Sequence, residues 1–263
     1  MGRSMALWVG VIVVWGLGGW TAVRSSPVPE EAVPPEICAW VRRLRLAALK
    51  YVAPTPASAE ALARGLGYAQ YAHPLTMCGP LTASILWEAG VLPDAQMIPE
   101  FWLLDPDQDE ALLRRAFPPD RWARFDFYNI PISMFDFRSF PLIPGDVVYL
   151  YSGWKWRGFE HVLVVSYVDS QGGVYAVSNV GTPKGYVVKE ALLYDPQDPS
   201  DGYFIWWNDH TKKSWLGGLT GTAGFTVWRQ RRLMPYVQAL AQGACAWRPP
   251  ALDAWAGGGR WGR

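Results

Sequence analysis

The sequence predicts an α+β fold, with helices first and an antiparallel sheet after them. Three observations carry that expectation. Apolar residues recur at helical spacing in the first half: Ile37, Val41 and Leu44 share one face, and Leu81, Ile85 and Leu86 share another. β-branched and aromatic runs take over from Val147 onward. Between two of those runs, Asp169-Ser170-Gln171-Gly172-Gly173 has the composition of a hairpin turn.

The elements follow in order. Met5 to Val23 is uncharged and strongly apolar, with Arg3 before it and Arg24 after it. Its length is near the roughly 20 residues that cross a bilayer as a helix. Trp20-Thr21-Ala22 is a poor small-x-small cleavage site. Residues 1–25 are therefore expected to be a signal anchor, with the rest outside the cytoplasm at the cell membrane. A cleaved signal peptide and secretion are the alternative. Residues 26–57 read as a Pro- and Glu-containing linker and then a helix, Pro35 to Tyr51.

The main domain is expected over residues 58–240. It opens with a short helix, Ser58 to Gly65, capped by Ser58, and an approach loop to a second helix that ends at Gly90. Pro93 to Asp126 reads as helical and loop-rich, with Asp109 to Phe117 the clearest helix. Strands are expected near Val147–Tyr151, His161–Val168, Val174–Val180, Tyr203–Trp207 and Phe225–Arg229. Residues 241–263, with Gly257-Gly258-Gly259 near the end, are expected to be a disordered tail.

Composition excludes several function classes. Lys and Arg number 24 against 23 Asp and Glu, and no long basic stretch occurs, so nucleic acid is not an expected partner. The three histidines and three cysteines never stand at paired zinc-ligand spacing, and Asn208-Asp209-His210 has no second His or Cys at ligand spacing nearby. No Gly-rich loop joins a strand to a helix. No metal or other cofactor is expected.

The chemistry centres on Met77-Cys78-Gly79-Pro80 at the head of an apolar helical run. Unpaired N–H groups and the helix dipole favour a thiolate at a helix N-terminus. Proline suits a first turn, where its missing N–H would be unpaired anyway. A nucleophilic thiol needs a base. His73 lies in the approach loop, His210 in an aromatic segment, and His161 at the head of a strand. His161 is preferred, because such pairs are assembled from separate elements that converge. Asn179 ends the neighbouring strand, and paired strands lie about 4.8 Å apart, so its amide could orient the imidazole.

Tyr68-Ala69-Gln70, Cys78-Gly79-Pro80 with its helix, and the His161-led strand together resemble papain-like cysteine peptidases, over roughly Tyr68 to Tyr194. The bacteriocin-processing, double-glycine-leader branch is the nearest in pattern. Pro144-Gly145-Asp146 followed by His161-Val162 is similar to NlpC- and CHAP-type cell-wall hydrolases, a second branch of the same fold. The resemblance implies a Cys-helix packed on an antiparallel sheet that carries the His. It also implies roles: Cys78 nucleophile, His161 base in a thiolate–imidazolium pair, Asn179 orienting group, Gln70 oxyanion donor. The implied substrate is a peptide or peptidoglycan amide bond. A papain-like acyltransferase or transglutaminase would use the same residues with an amine acceptor. A non-catalytic peptide- or glycan-binding domain would keep only the fold.

Smaller expectations complete the reading. Cys38 and Cys245 either bridge outside the cytoplasm or remain two buried thiols. Asp146 reads as a turn acid at the Gly145 bend. Trp154 and Trp156, before His161, either line a cleft or pack in the core.

Overall fold

Why one helix of the chain is buried against the sheet is visible at Cys78-Gly79-Pro80. The computed structural model describes residues 32–67, 72–102, 109–151, 159–206 and 221–247. Helix α1 covers Pro35–Leu49, α2 Pro56–Gly65 and α3 Cys78–Glu88. All nine residues from Cys78 to Leu86 are buried, so α3 is a core helix rather than a surface one. Gly79 is required there. A Cβ on it would lie 2.0 Å from the Phe101 carbonyl oxygen, contributed by the 3₁₀ segment Ala95–Phe101 that crosses the helix.

Helix α1 presents Ile37, Trp40, Val41 and Leu44 to the same core. Its start at Pro35 uses the position where proline costs no hydrogen bond. The cap of α2 is Thr55 rather than the expected Ser58. Thr55 Oγ1 accepts from Ser58 N, while Ser58 Oγ accepts from Thr55 N, a reciprocal capping box. After α4, Glu110–Ala116, the chain enters the sheet.

Six antiparallel strands follow: β1 Trp122–Tyr128, β2 Val147–Tyr151, β3 Phe159–Val168, β4 Val174–Thr182, β5 Gly185–Tyr194 and β6 Gly224–Gln230. Their order across the sheet is β1-β6-β2-β3-β4-β5. Two of these were not expected. In β1 the outward Arg124 and Asp126 interrupt the apolar pattern, yet the strand pairs with β6 over its whole length. In β5 Lys189-Glu190-Ala191-Leu192 looks helical, but the hairpin from β4 pairs through Thr182↔Gly185 and fixes it as a strand. The expected strand at Tyr203–Trp207 is instead a single helical turn, α5, Tyr203–Trp206. One turn suffices to bury Phe204 against Phe137, with stacked rings 5.6 Å apart. A last turn, α6, covers Val237–Ala241.

Side-chain alternation separates two cores. Val147 and Tyr149 of β2 and Val162 and Val164 of β3 join the helices in the first core. Val148 and Leu150, with Leu163 and Val165, face a second, aromatic core of Phe137, Phe204 and Phe225. Asp146 does sit in the expected turn, accepting from Ile143 N at 3.0 Å. It is also fully buried and paired with Arg229, Nε to Oδ1 at 2.8 Å and Nη2 to Oδ2 at 2.6 Å, a partner the sequence did not suggest.

Cys38 and Cys245 form a disulfide across 207 residues, which resolves the alternative left open by the sequence. Residues 241–247 thus hold the chain end to α1, and Arg45 reinforces the contact by donating to the Trp247 carbonyl. The remainder of the expected tail, 248–263, lies outside the described residues. Among the described residues no helix is long and apolar enough to cross a membrane. The apolar stretch Met5–Val23 lies outside them, as does the rest of 1–31.

Candidate active site

Cys78 is the first residue of α3, 4% exposed, and is the cysteine outside the disulfide. The N-cap, Met77, supplies no side-chain cap to the first helical turn. Two polar contacts fasten this end of the helix to the sheet. Thr82, one turn into α3, donates from Oγ1 to the Val162 carbonyl at 3.3 Å. Asn179 of β4 donates from Nδ2 to the Pro74 carbonyl at 2.7 Å and toward the Leu75 carbonyl at 3.4 Å. The helix start and its approach loop are therefore held over the His161 end of β3 and the Asn179 end of β4.

His161 pairs with Leu150 in the β2–β3 ladder, and Leu150 belongs to the second core. Alternation therefore assigns the imidazole to that face, while Val162 beside it faces α3. The pairing of β3 with β4 covers only Val165 to Val168 on β3. Past Val165 the strands are no longer paired, and His161 Nε2 meets Ser178 Oγ at 2.8 Å. Burial pushes the His161 pKa down to about 4, because a buried ring loses hydration of its charged form. The imidazole is thus neutral at ordinary pH. A resting thiolate–imidazolium pair, implied by the resemblance, is disfavoured at that ring.

The expected His161–Asn179 contact is replaced by two separate ones. Ser178 holds the imidazole, and Asn179 holds the approach loop. Asn179 Oδ1 is buried with no hydrogen-bond partner among the described residues, an acceptor still open to a donor. Ser178 escaped notice in the sequence because a serine in an apolar strand carries no signal of its own; its place beside Asn179 was the available hint. Tyr149 was missed for the same reason. It is fully buried on the α3 face of β2, and its phenol is pushed well above its ordinary value, first by burial and then by the nearby Cys78.

His73, the rival base, is exposed. Its Nδ1 accepts from Leu75 N at 3.0 Å, and its ring meets Tyr186 edge-on, centroids 5.8 Å apart. Gln70, the expected oxyanion donor, lies outside the described residues. So do Trp154, Trp156 and Asn208-Asp209-His210. Among the described residues no cluster of His, Cys, Asp and Glu could hold a metal ion.

No protein-family model, curated protein or solved structure matches this chain.

Proposed function

We propose that the protein is a papain-like thiol hydrolase acting outside the cytoplasm on amide bonds of peptides or cell-wall peptides. The observation that carries this reading is the Thr82–Val162 hydrogen bond. It fixes α3, one turn after Cys78, against the residue that follows His161. The disulfide between Cys38 and Cys245 supports an oxidising compartment.

Cys78 is the nucleophile and His161 the base. A neutral imidazole accepts the thiol proton as the sulfur attacks the carbonyl carbon, so no ion pair is needed beforehand. Gln70 and the Cys78 N–H stabilise the oxyanion, a kind of interaction typically worth about 3 kcal/mol. His161 returns the proton to the leaving amine. It then takes one from water as the water attacks the thioester, releasing the acid and restoring the thiol. Ser178 is a hydrogen-bond partner of the ring at 2.8 Å.

One observation favours a second reading. Cys78 and His161 are 4% and 8% exposed, and the β2–β3 register assigns His161 to the face away from α3. In that reading the domain binds peptide without cutting it, and Cys78 is a small core residue. Incubation of the full chain with peptidoglycan and with defined peptides separates the two. The first reading expects new amine and carboxyl ends from the wild type and none from Cys78→Ala or His161→Gln. Binding without cleavage by all three proteins supports the second.

A further inference from the structure

A groove of about 410 Å³ runs beside the Cys78 approach loop, and it has a consistent chemistry. It is lined by Pro56 and Glu60 of α2, by Lys184, Gly185 and Tyr186 of the β4–β5 hairpin, and by His73, Pro74 and Leu75. Pro74 and Leu75 are the residues whose carbonyls Asn179 holds. The groove and the sulfur thus belong to opposite ends of one short segment, 73–78.

Three of its lining residues carry hydrogen-bond donors. His73 Nδ1 accepts from Leu75 N, so the neutral ring carries its proton on Nε2 and can donate only there. Lys184 is exposed at the rim. Tyr186 Oη is buried and has no hydrogen-bond partner among the described residues, an omission that a bound acceptor would repair. The acidic side chain present, Glu60, is exposed and lies 3.9 Å from Arg64 on its own helix. Prolines and the Tyr186 ring supply flat apolar walls suited to an extended chain.

We propose that this groove is a binding subsite for a carboxylate-bearing peptide, with the carboxylate held by Lys184, His73 Nε2 and Tyr186 Oη. The assignment rests on the reading of the protein as a peptide-acting enzyme and names which part of the substrate lies on the approach-loop side of Cys78. The carboxylate is either a chain terminus or an acidic side chain.

Full-chain Cys78→Ala protein binds without turnover and is the material for the test. Fluorescein-labelled Gly-Ala-Leu is compared with its carboxamide, and Gly-Glu-Leu-amide with Gly-Gln-Leu-amide, by fluorescence anisotropy. At least one acid is expected to bind about tenfold more tightly than its neutral counterpart, and the pair that discriminates identifies the source of the carboxylate. Lys184→Ala and Tyr186→Phe are each expected to remove most of that preference. Equal binding of acid and neutral peptides, binding of none, or a preference unchanged in both variants overturns the proposal. Acid-selective binding in a protein that never cleaves peptide sinks the catalytic reading and leaves the groove standing. Cleavage without acid selectivity does the reverse.

Discussion

The two faces of the sheet are packed by different means. Under α1 and α3 the first core mixes aliphatic side chains with Trp40, Phe101, Phe117 and Trp228, and polar groups tie loops and helix to strands: Thr82 to Val162, Asn179 to Pro74. On the other face Phe125, Phe127, Phe135, Phe140 and Phe225 contact one another through rings 4.6 to 5.0 Å apart, with Arg229 4.5 Å above Phe140. That face carries one deeply buried ion pair and the buried His161–Ser178 hydrogen bond. Aromatic packing gives the second face stability. The first face spends part of its packing on positioning Cys78. His161 and Ser178 stand on that second face, where β3 and β4 part.

The comparison can be broken at its strongest point first. Asp146→Asn leaves the Arg229 guanidinium buried beside a neutral amide, and loss of a buried partner costs about 3–5 kcal/mol. Urea denaturation should show that loss, while Cys78 chemistry per folded molecule stays the same. An equal loss of Cys78 reactivity would mean that the faces are not independent.

Replacing Cys38 and Cys245 together by alanine tests the first face as a structure. Removing a crosslink that closes so long a loop is expected to cost about 2–5 kcal/mol, read as a lower midpoint in the same titration. An unchanged midpoint would show that the chain end contributes nothing to that core.

The His161 site on the second face is tested by pH. The folded His161 pKa, about 4, lies below its unfolded value, so the unfolded chain binds the extra proton. Its stabilising contribution is complete above about pH 6.5. It is lost as pH falls through that value toward 4. The change is about 3 kcal/mol in order of magnitude. His161→Gln should flatten the stability profile between pH 6.5 and 4. A profile as steep as that of the wild type would place the acid sensitivity elsewhere.

Asn179→Ala is the smallest change and the most local. It removes the donor that holds the Pro74 carbonyl and is expected to cost about 1–3 kcal/mol. Hydrogen exchange should quicken at 73–77 and not in the aromatic core. Uniform quickening would argue that Asn179 supports the whole sheet.

The sequence disclosed the helix at Cys78 and the hairpin between β3 and β4 because each has a local signature, Gly-Pro in one case and Gly-Gly in the other. It concealed β1 and β5, where pairing with a distant or neighbouring strand overrides charged residues and helix-like composition. Cys78 and His161 could be singled out by residue type and place. The partner of His161 could not, because Ser178 and Asn179 are adjacent and only the register decides which one points toward the ring. The Asp146–Arg229 pair was equally hidden, since 83 residues separate its members. The groove beside His73 depends on a hairpin and a helix that meet only in space.

The account turns on Cys78 and His161 acting together on an acyl group, and trapping that group tests it most directly. Full-chain protein is exposed to p-nitrophenyl acetate across pH 4–8, and the acetylation rate at Cys78 is followed by intact and peptide mass. The expected result is an S-acetyl adduct on Cys78 whose formation is sustained down to about pH 5, below the usual histidine range. In His161→Gln the rate should fall by about 100-fold or more, in line with a lost general base. Acetylation at the same rate in the variant, or no adduct in the wild type, would contradict the account.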